Sequence, residues 1–411
     1  MKILLSHPTA NANVRAALKG FLERRLLMEF DTTIACFPDT FLHRLSSFRA
    51  FSEIRRRSFI PELKSLTKSY PLKEAARLLS IKANISTLIR QESGLLSVDS
   101  VYKSLDLKVA SKLKEAASMG LSAIYAYEDC AEFSFVESKR LGLKCFYDLP
   151  IGYWRAAEEL LSGEADRWPE WSSTFPGFSD SNEKLERKDR ELQMADKIFV
   201  ASQFTANTLK LFPGPLRPVH VVPYGFPPVN DTRNYAPAHN RKLRILFVGG
   251  LSQRKGIADL FAAVEKLNEY VELTIVGRKT TSNCLPLDHE LKRHKWIASL
   301  PHAEVLKLML QHDVLVFPSL FEGFGLVITE AMSQGTPVIT TDRTAGPDII
   351  TDGQNGWLIQ AGSANAIQEA IEKLLANPSK LAAAGKEALE TARKRPWEVY
   401  GRELADAIQL H

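Results

Sequence analysis

Cysteine is scarce in this chain: Cys36, Cys130, Cys145 and Cys284 are the four among 411 residues, and none stand at close spacing. That excludes a disulfide framework, and no Cys/His cluster has the spacing of a zinc site. Four isolated cysteines suit a reducing compartment, the cytoplasm, and are expected as small core residues. Long apolar runs are missing too. Nothing approaches the ~18 uncharged apolar residues of a spanning helix. The opening MKILLSHPTA is too short in apolar residues for a secretory signal and reads as a first β-strand. No D-x-D carboxylate pair of the kind that holds Mg²⁺ or Mn²⁺ on a diphosphate is present, so no metal ligand is assigned. The first strand is not followed by G-x-G-x-x-G, which argues against a dinucleotide dehydrogenase.

Acidic residues are scarce in one place only. Between Phe41 and Lys82 ten Lys/Arg face three Glu, whereas the whole chain carries a formal charge of +5. The rest of the chain is therefore slightly negative, and the basicity belongs to one segment. FLHRLSSFRAFSEIRRRSFIPEL interleaves arginines with leucine and phenylalanine. Such a surface could meet anionic lipid or a lipid diphosphate; it also reads as a solvated helix face packed on its domain. Nucleic acid is excluded as a partner, because no basic groove continues elsewhere.

What is abundant is alternation. From Lys242 onward, short β-branched runs such as LRILFVGG (243–250), ELTIVG (272–277), VLVFPS (314–319) and TPVITT (336–341) are separated by helical stretches. This is the pattern of βαβ units on a parallel sheet. KILLS (2–6), TTIACF (32–37), SAIYAY (122–127), LKCFYDL (143–149), KIFVAS (197–202) and VHVVP (219–223) repeat it more loosely, with a helix-rich insertion after the second. PYGFPPVNDTRNYAPAHN (223–240) has four prolines and reads as a linker. We expect an α/β protein of two Rossmann-like, doubly wound domains facing a cleft, residues 1–230 and 231–395. A last helix, 396–411, would cross back to the first domain. Ligands of such sheets bind beyond the carboxyl ends of the strands.

The stretch FPSLFEGFGLVITEAMSQGTPVI (317–339) runs strand, glycine-hinged loop, helix. Gly323 and Gly325 allow close backbone approach, and the helix start near Leu326 offers unpaired N–H groups to an anion. Glu322 and Glu330 flank that site, each able to accept hydrogen bonds from a diol. Diphosphate between two diols describes a nucleotide sugar. EGFGLVITE resembles the E-x7-E motif of retaining glycosyltransferases of family GT4 (group 1), which have the GT-B fold. The resemblance implies that Glu322 contacts the transferred sugar and Glu330 the ribose. It extends through GTPVITTDRTAGPDIITDGQNGWLI.

FVGGLSQRKG (247–256) is a second strand-to-helix turn, and its Arg254 and Lys255 can neutralise a leaving diphosphate. Lys255 before Gly256 matches the family pattern. Many members have an arginine where this chain has Gly250, and Arg254 is the candidate substitute. Gly249, Gly250, Phe324 and Arg278 complete the expected donor side. The amino half lacks the family's histidine after a middle strand, and Tyr127, Glu128, Asp129 and Asp148 are the acceptor-side candidates. His7 reads more as a loop residue than a catalyst.

The implied function is metal-independent, retaining transfer of a sugar from a nucleotide diphosphate donor, without cofactor. The acceptor would be a hydroxyl on a glycan or lipid-linked glycan, as in cell-envelope polysaccharide synthesis. A non-catalytic sugar or lipid-diphosphate binder remains open, as does another GT-B activity such as a sugar-nucleotide epimerase. A phosphorylase is disfavoured, since no pyridoxal-phosphate lysine stands out.

Overall fold

The computed structural model describes residues 1–9, 11–38, 40, 57–175, 180–235 and 241–410. Its strands are all parallel and fall into two sheets. The first has the order β3-β2-β1-β4-β5-β6-β7, built from β1 (Ile3–Ser6), β2 (Leu27–Thr32), β3 (Thr67–Ser69), β4 (Ala123–Tyr127), β5 (Lys144–Leu149), β6 (Lys197–Val200) and β7 (Val219–Val221). The second has the order β10-β9-β8-β11-β12-β13. It consists of β8 (Leu243–Val248), β9 (Val271–Val276), β10 (Lys295–Ile297), β11 (Val314–Phe317), β12 (Val338–Thr341) and β13 (Gly356–Ile359). Central strands such as β1, β11 and β12 are buried at every position, because helices cover both faces of each sheet. All four cysteines are free and buried.

Sequence and structure part company at β2. The expected strand was TTIACF; the actual one is LMEFDT, five residues earlier. Two acids in a row of six argue against a buried strand, and here a cation answers them. Lys112 reaches Asp31 at 2.6 Å and also pairs with Glu29. β3 and β10, of three residues each, were not anticipated. Within the insertion, Pro71–Lys82 and Val98–Ser118 are helices.

Chain segments pass between the two sheets at several points. Phe226 in the proline-rich stretch donates its N–H to the carbonyl of Arg395 at 2.9 Å, so the outgoing and returning strands of chain run side by side. The last helix, Trp397–Gln409, then packs on the first, Ala12–Glu23. Lys19 meets Glu398 and Arg24 meets Asp406, while Tyr400 is buried against Tyr224. A further crossing was not expected. Residues 151–175, which follow β5, lie on the carboxyl-half sheet. Ala156 and Leu161 pack with Leu320, Phe321 and Ala361, and Trp171 stacks on Phe261 inside the second sheet's core.

Candidate active site

The two loops singled out above meet. β8 runs into a short 3-10 turn, Gln253–Lys255, that ends on Gly256 with φ +68°. A side chain at Gly256 would place its Cβ 2.1 Å from the Pro318 carbonyl oxygen, so only glycine lets this turn sit on the β11 loop. The Arg254 carbonyl accepts from Leu320 N at 2.8 Å and Ser319 Oγ at 3.2 Å, which zips the loops together.

Side chains repeat the link. Glu322 Oε1 contacts Lys255 Nζ and lies 3.1 Å from Arg254 Nη1, and Arg254 also donates to the Phe321 carbonyl at 2.7 Å. Lys255 Nζ stands 5.0 Å from the centre of the Phe317 ring. Burial, and then the neighbouring Arg254, push the Lys255 ammonium down to about 6. The Glu322 carboxylate opposes this, so the lysine's charge is conditional on an anion beside it. Two cations sharing one carboxylate leave positive charge unmatched at the loop head.

Glu330 stands elsewhere. It lies on the second turn of the helix Leu326–Ser333, which starts where the sequence placed it, and its Oε1 is 2.9 Å from His302 Nε2. With Thr329 and His302 it lines a cavity of about 870 Å³ between the halves, whose far wall includes Asn11, Arg15 and Phe59. Glu322 does not line that cavity. The two glutamates are on one loop-helix unit but face different surroundings.

The glycines differ as well. Gly250 is exposed with open space around it, and Gly249 has only ordinary contacts. Gly323, expected to admit a ligand, instead admits protein: a Cβ there would lie 1.9 Å from the Pro150 carbonyl oxygen. The Gly323 carbonyl accepts from Ser202 Oγ at 2.5 Å and Thr205 Oγ1 at 3.0 Å. Phe324 is buried against Tyr224 of the amino half, ring centres 4.9 Å apart, while Gly325 (φ +87°) caps the helix. Arg278 is exposed, its carbonyl held by Leu251 N at 3.0 Å. Asp348 accepts from Gln203 N at 3.0 Å, another tie between the halves.

None of the acceptor-side candidates lines the large cavity. His7 is buried edge-on to Tyr127 at 4.5 Å, and burial lowers its pKa to about 4, so the ring is neutral near pH 7. Tyr127 Oη is buried without a hydrogen-bond partner among the described residues. Asp148 bonds Tyr125 at 2.5 Å and is pushed up to about 7 by burial. Glu128 is raised, first by burial, against the opposing Lys188 at 3.8 Å. Asp129, with φ +70°, pairs with Arg187 at 2.6 Å and lines a separate cavity of about 240 Å³.

Of the basic segment, 41–56 lies outside the described residues. In the remainder Arg57 and Arg77 hold the buried Glu74 at 2.5 and 2.6 Å, so neither forms part of a free cationic face. No described helix is long and apolar enough to cross a membrane.

Two parallel, helix-covered sheets with loops converging between them are the GT-B fold, and solved structures with that fold align along the chain's length. Sucrose-phosphate synthase from Thermosynechococcus elongatus aligns with TM-score 0.65 and 17% identity, covering 100% of this chain and 98% of that one. HepE of Anabaena, solved in complex with UDP, aligns with TM-score 0.63 and 17% identity over 99% of both chains. The family model "Glycosyl transferases group 1" matches residues 230–391. Over those residues the carboxyl half of this chain is thus similar to the group 1 glycosyltransferases. Among curated relatives, glycogen synthase of Mycobacterium tuberculosis is 31% identical over 159 residues, 37% of either chain. Phosphatidyl-myo-inositol mannosyltransferase of Mycobacterium leprae is 32% identical over 169 residues, 39% of this chain and 44% of that protein. The chain thus spans well under half the length of these relatives.

Proposed function

We propose that this chain is a retaining glycosyltransferase that moves a sugar from a nucleotide diphosphate sugar to a hydroxyl acceptor, without metal or cofactor. The observation that carries the reading is the Lys255–Arg254–Glu322 cluster, where the β8 and β11 loops of a group 1 domain are locked together. Its unmatched positive charge, beside the open Gly250, suits a diphosphate. Once the phosphates take over the cations, Glu322 is released to accept hydrogen bonds from sugar hydroxyls. Glu330, on the wall of the 870 Å³ cavity, accepts from the ribose hydroxyls. The charge on the leaving diphosphate grows toward the transition state, so the attraction of Lys255 and Arg254 for it grows too, which is the condition for raising rate rather than mere affinity. In a front-face route the departing phosphate oxygen takes the acceptor's proton. That suits an amino half whose His7 is buried and neutral.

The donor reading draws support from HepE, a structural neighbour at fold level solved with UDP. For the acceptor we infer a glycan or lipid-linked glycan, made in the cytoplasm and used in the cell envelope. Exposed Leu72 and Leu79 lie seven residues apart on the helix Pro71–Lys82, with Lys68 before it and Lys82 at its end. This favours peripheral contact with an anionic membrane; a flotation assay that recovers the protein equally with neutral and phosphatidylglycerol vesicles would dismiss it.

The central test is thermal shift against UDP, GDP, ADP, TDP and CMP with EDTA present, since a ligand of the folded state raises the melting temperature. One diphosphate should do so, and Glu330→Ala should abolish the shift. Mass spectrometry of products with that base's sugar nucleotides then separates transfer from epimerisation and from binding alone.

A further inference from the structure

The bonds to the β11 loop hold the turn of Arg254 and Lys255 from one side only. A second grip comes from the amino half. Gln253, which precedes them, is fully buried, and each of its polar groups is engaged. Its N–H donates to Thr174 Oγ1 at 3.1 Å, and its Nε2 donates to Glu164 Oε2 at 2.9 Å and Asp259 Oδ2 at 3.0 Å. Its Oε1 accepts from Ala258 N at 3.0 Å. Thr174 and Glu164 belong to the arm that crosses from the first sheet.

Glu164 and Asp259 are two largely buried carboxylates brought to one amide, an arrangement that costs free energy unless a cation intervenes. Arg167 intervenes. Its Nη1 and Nη2 bind Asp259 at 2.6 and 2.8 Å, its Nε and Nη2 bind Glu164 at 3.1 and 2.6 Å, and its Nη1 also reaches the Gly362 carbonyl at 2.8 Å. Four residues further on, Trp171 of the arm stacks on Phe261 of the helix Ile257–Lys266. The arm therefore grips the cationic turn at its first residue and the following helix on its second turn. It also seats the opposite wall, since Gly152 lies flat against the Phe321 ring just before Glu322, where a Cβ would come within 2.4 Å of Cζ.

We propose that the arm is a positioning element for diphosphate binding, and that Gln253, Arg167, Glu164 and Thr174 are positioning residues that fix Arg254 and Lys255. The cations point where they do because the turn beneath them is bonded across the two halves. Two long side chains on a free turn would each have to be ordered when phosphate binds; on a clamped turn that ordering is already done. The inference rests on reading Arg254 and Lys255 as diphosphate-binding groups.

Isothermal titration distinguishes the two levels. The diphosphate that binds the intact chain is chosen from UDP, GDP and ADP, and its monophosphate and nucleoside are titrated beside it. Gln253→Ala and Arg167→Ala should weaken the diphosphate about tenfold, the equivalent of one charge-assisted hydrogen bond, and leave the nucleoside within about twofold. Thr174→Val, which removes one acceptor and little volume, should do the same more mildly, and Thr174→Ser should restore binding. That pair decides the matter if the larger changes prevent folding. Equal weakening of diphosphate and nucleoside, or none in folded variants, overturns the positioning role while the glycosyltransferase reading stands. If the intact chain binds no nucleoside diphosphate, both fall together.

Discussion

The strand ends of the two sheets treat charge in opposite ways. After β8 and β11, Arg254, Lys255 and Glu322 are kept close together in excess positive charge, with open space beside Gly250. At the ends of β1, β4 and β5, the titratable groups are driven toward neutrality: His7 down to about 4, Asp148 up to about 7, Glu128 also up, all with burial as the first cause. One half is prepared to receive an anion. The other is an aromatic wall of Tyr125, Tyr127 and Tyr224 into which Phe324 of the carboxyl half is pressed. The contrast teaches that a shared sheet topology does not distribute chemistry evenly, and that rate here should depend on electrostatics in the carboxyl half and shape in the amino half.

The comparison breaks most easily at Lys255. Lys255→Ala should lower transfer by about 10²- to 10³-fold, the usual loss when one preorganised charge is removed from a developing anion. Its melting temperature should hold or rise, because a buried cation is removed. If the rate falls less than tenfold, the charge contrast between the halves is not what drives the reaction.

Asp148 tests the other side. Its folded pKa is raised above the unfolded value near 4, so its contribution favours the fold at low pH and is lost as pH rises through about 7. Asp148→Asn keeps an acceptor for Tyr125 and removes the ionisation. Urea melts should show the variant gaining on the parent from pH 4 to pH 7, by up to about 4 kcal/mol on the full shift. Identical pH dependence would mean that Asp148 ionises freely and that the amino half is not the neutral wall described.

Much of this contrast was legible in the sequence for the carboxyl half and little of it for the amino half, for physical reasons. Apart from the three-residue β10, the carboxyl sheet is made of apolar runs of four to six residues, so the pattern was enough to put Glu322 in the loop after β11, Glu330 in the helix and the helix start at Leu326. In the amino half the strand LMEFDT hides its burial behind Glu29 and Asp31, whose neutralising lysine lies about eighty residues away at Lys112. Gly323 looked like a ligand's glycine, but its neighbour in space is Pro150, which no local pattern announces. The clamp on Gln253 joins residues separated by 79 and 89 positions. Long-range partners of this kind leave no periodicity to read.

The finest test concerns His7, which tilts stability against Asp148 over nearly the same range. A histidine whose folded pKa is depressed contributes stability that is present above its unfolded pKa near 6.5 and is lost as pH falls toward about 4. Asp148 loses its contribution in the opposite direction, so the two partly cancel in the parent chain and a flat profile would conceal both. His7→Gln should uncover the carboxyl's slope, giving a protein that is relatively more stable at pH 5 than its parent by up to about 2 kcal/mol. Arg57, which also disfavours the imidazolium, stays committed to Glu74 and so remains in place in the variant. Transfer at pH 7 should change little, because the ring is already neutral there. A His7→Gln enzyme that keeps its stability profile and loses most of its activity would place His7 among the reacting groups, and the amino half would then supply chemistry as well as shape.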